Sequence, residues 1–134
     1  MKRISIRLSL TVIGATAALA FATSAYAADG AKEAATAAQH AGFAAKSANI
    51  KQVHMHLHHT VNCLVGPTGD GFDASQANPC AAEGDGAIPD TSDAATKEKL
   101  MDALKMAKMG LASDDLATAQ KEASETEMAL KKIM

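Results

Sequence analysis

From residue 31 onward the apolar positions recur at helical spacing, and nowhere do they alternate as in a half-buried strand. The first stretch runs from 31 to about 65. Its opening, Ala31-Lys32-Glu33-Ala34-Ala35-Thr36-Ala37-Ala38-Gln39-His40, is dense in residues that a helix restricts little. Gly42 and then Ser47-Ala48-Asn49 weaken its middle. Two readings follow: one long helix, or two helices broken near 47–49. Beyond that point Ile50, Val53, Leu57 and Leu64 fall within about 60° of one another at roughly 100° per residue, with Thr60 beside them.

A second stripe, Leu100, Ala103, Leu104, Ala107 and Leu111, follows Ser92, the expected N-cap, with Asp93 in the first turn. This helix is predicted to end near Gly110 or Ala112. A third stripe, Leu116, Ala119, Ala123, Leu130 and Ile133, follows Ser113, again the expected cap. Asp114 and Asp115 then open that helix and Lys131 and Lys132 close it, as the helix dipole favours. Only a few residues separate the two, so they are expected to form an antiparallel hairpin. The predicted fold class is all-α: a small antiparallel helical bundle of three or four helices. One long Gly/Pro-rich loop, 66–91, interrupts it.

That loop carries dense turn punctuation: Gly66-Pro67, Gly69-Asp70-Gly71, Asn78-Pro79, Gly84-Asp85-Gly86 and Pro89. An irregular connection of this length in a small domain is expected to be either functional or tied down. Cys63 and Cys80 are the only cysteines. A disulfide between them would close the first half of the loop and contribute about 3 kcal/mol through the restricted unfolded chain. The competing reading leaves Cys63 as a free thiolate ligand beside the histidines.

The N-terminus changes the setting. Met1 to Arg7 carries three positive charges and no negative one. An apolar stretch from Leu8 to about Phe21 follows, then Ala25-Tyr26-Ala27, with small residues where a signal peptidase reads. Residues 1–27 are therefore read as a cleaved signal peptide, and 28–134 as a single helical domain, periplasmic or secreted. The apolar run is short and rich in Ala and Thr, a poor membrane span, and no span is expected after cleavage. An oxidising compartment favours the disulfide.

Removal of 27 of the 134 residues leaves 107, with 10 of the 13 basic residues against all 15 acidic ones. The mature chain is acidic and has no basic run, so nucleic acid is not expected as a partner. With no Trp, one Tyr and three Phe in the whole chain, the core must come from Ala, Leu, Ile, Val and Met. Such a core buries modest area per residue and gains from a staple.

The compositional anomaly is His54-Met55-His56-Leu57-His58-His59, with four of the five histidines within six residues. Helical geometry splits them. His54 and His58, at i and i+4, share one face; His56, His59 and Cys63 follow spacings of three and four on another. The two sets flank the apolar stripe on opposite sides, so one ion is not expected to take both. Either pair suits a transition metal, and neutral imidazole serves zinc, copper or nickel. The expected ligands are His56 and His59, with His54 and His58 as a second pair and Met55 as a soft donor that favours copper over zinc. Two alternatives stand beside this: histidines that only pack against the loop, and a pH-responsive surface.

Met101, Met106 and Met109 fall off the stripe of their helix, among Lys99, Lys105 and Lys108, and Met128 falls off the stripe of the next. Methionines so placed suit self-association or docking of a periplasmic protein. The loop segment Gly69-Asp70-Gly71-Phe72-Asp73 does not match the alternating acids and distal Glu of a calcium loop. No nucleophile elbow, phosphate-binding glycine loop or dinucleotide fingerprint is present. The reading is a small exported, non-enzymatic metal-binding protein that buffers or delivers copper, or else zinc. The alternative is a non-catalytic structural or protein-interaction module of the periplasm.

Overall fold

A computed structural model describes residues 30–134. The expected signal peptide, 1–27, lies outside the described residues. Five helices follow in order: α1 Gly30–Lys46, α2 Ile50–Val65, the short α3 Ala87–Asp90, α4 Ala94–Leu111 and α5 Leu116–Lys131. The described residues contain no strand. None of these helices is long and apolar enough to cross a membrane.

The first helical stretch breaks at Ser47-Ala48-Asn49. Ser47 turns its hydroxyl back to donate to the Phe43 carbonyl at 2.8 Å, and its N–H donates to Ala44 O at 3.1 Å. Asn49 is extended, and its Oδ1 accepts from the Gln52 N–H at 3.0 Å, which caps α2. Ser and Asn offer the backbone partners that compete with a continuing helix, so the weak middle becomes a corner. Across this corner α2 folds back on α1. Thr60 is buried, and its hydroxyl lies 3.3 Å from Ala37 O and 3.0 Å from His56 O, which ties the two helices side by side.

α1 packs on α2 and α5, and α4 packs on α5 and α2. The core between them is mostly small. Ala34, Ala37, Ala38 and Ala44 of α1 are buried in one cluster with Val53, Leu57, Val61 and Leu64 of α2, with Leu100, Ala103, Ala107, Ala119, Ala123 and Leu130 behind. Alanine faces let backbones approach closely. Gly110 extends this close packing, for an added Cβ would stand 2.7 Å from Leu57 Cδ1. Leu104 and Leu111, expected in the α4 stripe, are only partly buried.

Two caps differ from the sequence expectation. Asp93, not Ser92, caps α4, its carboxylate accepting from Thr96 N at 2.7 Å. Asp115, not Ser113, caps α5, accepting from Thr118 N at 2.8 Å and Thr118 Oγ1 at 2.6 Å. In each case Ser and Asp compete for the position, and the ionised acceptor makes the stronger bond. Ser113 instead accepts from Asp115 N at 3.2 Å and shapes the turn before the helix.

The long loop is tied down at both ends. Cys63 and Cys80 form a disulfide, both fully buried, so Cys63 is not a free thiolate. Asn62, buried one residue earlier, donates through Nδ2 to Asp73 O and Ala77 O and accepts from Asp73 N at 2.9 Å. The second half returns past the end of α2, where Gly66 and Gly86, both at positive φ, let the two backbones cross. Buried Glu33 of α1 accepts from the Gly86 N–H at 2.7 Å and fixes this return. Burial raises the Glu33 carboxyl to about 7, and the neighbouring Asp90 and Glu83 add to the rise.

Candidate metal centre

One group of three potential ligands stands out among the described residues: His40, His56 and His59, with one ring nitrogen from each lying within 4.8 Å of the others. His40 comes from α1 and the other two from α2. Their ring centroids form a nearly regular triangle, 5.1 Å for His40–His59 and 5.7 Å for His40–His56 and His56–His59. The corner at 47–49 sets this geometry. His40 and His56 stand at equal distances in sequence from Ala48, so a chain that folds back there sets them opposite each other. The Thr60 bond to Ala37 fixes the register beside them.

The electrostatics suit a cation. Each of the three rings is half-buried, and each Nδ1 is buried without a hydrogen-bond partner. A neutral imidazole has one donor and one acceptor nitrogen, and leaving either unpaired inside a protein costs free energy. Burial, with His59 and His56 adding charge repulsion, lowers His40 to about 4. Burial also lowers His56, and lowers His59 with help from His56 and His58. At neutral pH all three rings are therefore uncharged, with lone pairs free for a metal. Around one tetrahedral ion with bonds of about 2.0–2.1 Å, nitrogens sit ~3.3 Å apart. The nitrogens here all lie within 4.8 Å of one another.

The other expected ligands lie elsewhere. His54 Nε2 is 2.9 Å from the Ser113 carbonyl oxygen. That oxygen only accepts, so Nε2 carries the proton. His58 Nδ1 faces Asp73 Oδ2 at 3.5 Å. Met55 is exposed and borders a surface groove with His54, His58, Gln76 and Asp114. Thus His56 and His59 meet in one group, while His54, His58 and Met55 gather on another face with protein partners for both histidines. The sequence reading missed His40. The available signal was its position opposite His56 about the Ser47-Ala48-Asn49 break, usable only once the break is chosen over the continuous helix.

On α4, Met101 and Met109 are 56% and 50% exposed, and with Leu104 they line a shallow groove rimmed by Lys105 and Lys108. Met106 is half-buried. No protein-family model matches the chain, and no curated protein or solved structure matches it either.

Proposed function

We propose that this protein is an exported, non-enzymatic metal-binding protein in which His40, His56 and His59 hold one transition-metal ion. The ion is copper in preference to zinc, and the role is buffering or delivery. The observation that carries the reading is the convergence of three uncharged imidazoles from two helices, each with a buried, unpartnered nitrogen. Three protein ligands leave a coordination position open, which suits exchange with a donor or acceptor more than a closed structural site does. The order of charged, apolar and small residues across 1–27 supports export. Titration of the protein with Zn(II) and Cu(II), and with Cu(I) in competition with a chromophoric chelator, tests the reading. A variant with all three histidines changed to Ala is expected to lose the site. Equal affinities for variant and wild type would end the proposal.

A second reading has its own support. His54 and His58 bond to the turn before α5 and to the 66–86 loop, and the Met101/Met109 face stands exposed. On this view the protein is an interaction module whose histidines only pack. Light scattering that shows self-association through the methionine face, with no metal retained, would favour it.

A further inference from the structure

We infer that Phe43 is the specificity-determining residue of this centre, an apolar cap that favours Cu(I) over Zn(II). The inference rests on the metal-binding reading above and adds the residue that sets the choice of ion. Phe43 follows His40 by three residues on α1, so the two side chains share a face. Its ring centroid lies 5.5 Å from that of His40, edge-on at 85°, and 5.5 Å from that of His56 across the helix interface. The phenyl ring thus spans the edge between two of the three imidazoles. It remains 45% exposed, so one side covers the histidines and the other meets solvent.

The chemistry of the wall is one-sided. No fourth His, Cys, Asp or Glu joins the three histidines among the described residues. Glu127 of α5 reaches Gly42, but it is paired with Lys131. The donor set is therefore neutral, and an apolar ring closes part of its outer side. Moving an ion out of water costs free energy that grows as the square of its charge, about four times more for a divalent than for a monovalent ion. Neutral imidazoles return no negative charge to offset this, as a carboxylate would. Zinc in an open three-histidine site also takes a fourth ligand from water. Cu(I) carries half the charge, and the apolar shell that limits water stabilises the lower oxidation state.

The test measures Cu(I) and Zn(II) affinities by chelator competition for wild type, Phe43→Ala and Phe43→Glu, with far-UV circular dichroism as a check on folding. Phe43 is nearly half exposed and outside the core, so both variants are expected to fold. The ratio of Cu(I) to Zn(II) affinity should fall about tenfold in Phe43→Ala. It should fall further in Phe43→Glu, where a carboxylate brings compensating charge. The Cu(II)/Cu(I) reduction potential should drop in the same order. A ratio within about twofold of wild type in both variants, with histidine-dependent binding intact, would overturn the role of Phe43 and leave the three-histidine site standing. Wild-type protein that binds neither ion would overturn both.

Discussion

Two sets of histidines share one short helix and meet different fates. His56 and His59 turn toward α1, where His40 completes a triangle of uncharged rings whose Nδ1 atoms have no protein partner. His54 and His58 turn toward the 66–86 loop and the α4–α5 turn, where a carbonyl and a carboxylate receive them. Residue type and local sequence are nearly the same. What differs is the surface that each face of α2 packs against. The alanine-rich surface of α1 brings no hydrogen-bond partner to the Nδ1 atoms of these rings. A loop and a helix end offer free partners. Buried imidazoles beside a helix are left with lone pairs to give, and imidazoles beside a loop are satisfied.

The largest expected effect breaks this contrast directly. His40→Ala removes one of three ligands and should weaken metal binding by about 100-fold, whereas His54→Ala should change it by less than about threefold. Competition titrations on the two variants decide it. Equal losses would mean that the two faces of α2 do not differ in metal chemistry. His40 is the sharper choice because it lies outside the histidine-rich segment, so its loss separates a three-dimensional site from a merely His-rich stretch.

The same contrast appears along α1, between His40 and Glu33, and pH tests it. His40 has a folded pKa of about 4, below its ordinary 6.5. Its contribution to stability is present above pH 6.5 and is lost as pH falls toward 4. Glu33 has a folded pKa of about 7, above its ordinary 4.5. Its contribution is complete below pH 4.5 and is lost as pH rises through 7. In the metal-free protein the two groups act in opposite directions across the same window. Urea midpoints from pH 4 to 8 should therefore vary less in wild type than in either single variant. Glu33→Gln should remove the loss on the alkaline side, keep the acid-side loss, and retain the Gly86 N–H bond through its amide oxygen. A Glu33→Gln profile parallel to wild type would show that this carboxyl does not titrate in that window.

The helical class, the stripes of α2, α4 and α5, and the Cys63–Cys80 link were all legible in the sequence, because each depends on local spacing or on a single possible pairing. The caps were legible only in part. Ser92-Asp93 and Ser113-Asp114-Asp115 offer adjacent acceptors, and the choice rests on which carboxylate reaches the first free N–H. His40 was not legible from α2 alone, since a ligand set drawn from two helices depends on where the chain turns. Ser47-Ala48-Asn49 allowed a bend or a break, and only the capped break by Asn49 brings His40 to His56. Phe43 was hidden for the same reason: on a continuous helix it is one exposed aromatic among alanines.

The smallest expected effect sharpens the comparison from the other side. Asp73 lies in the loop, and its carboxylate is held below the usual range chiefly by the Ser75 hydroxyl and backbone N–H, with His58 adding to them. Its backbone is held separately by Asn62. Asp73→Ala therefore removes the partner of His58 while the loop keeps its anchor. If the loop-side histidines are satisfied groups with no metal role, this variant should bind Cu(I) and Zn(II) as wild type does. A gain in metal affinity on freeing His58 would show a second ligand set held back only by its protein partners. The two faces of α2 would then differ in occupancy of their lone pairs and not in kind.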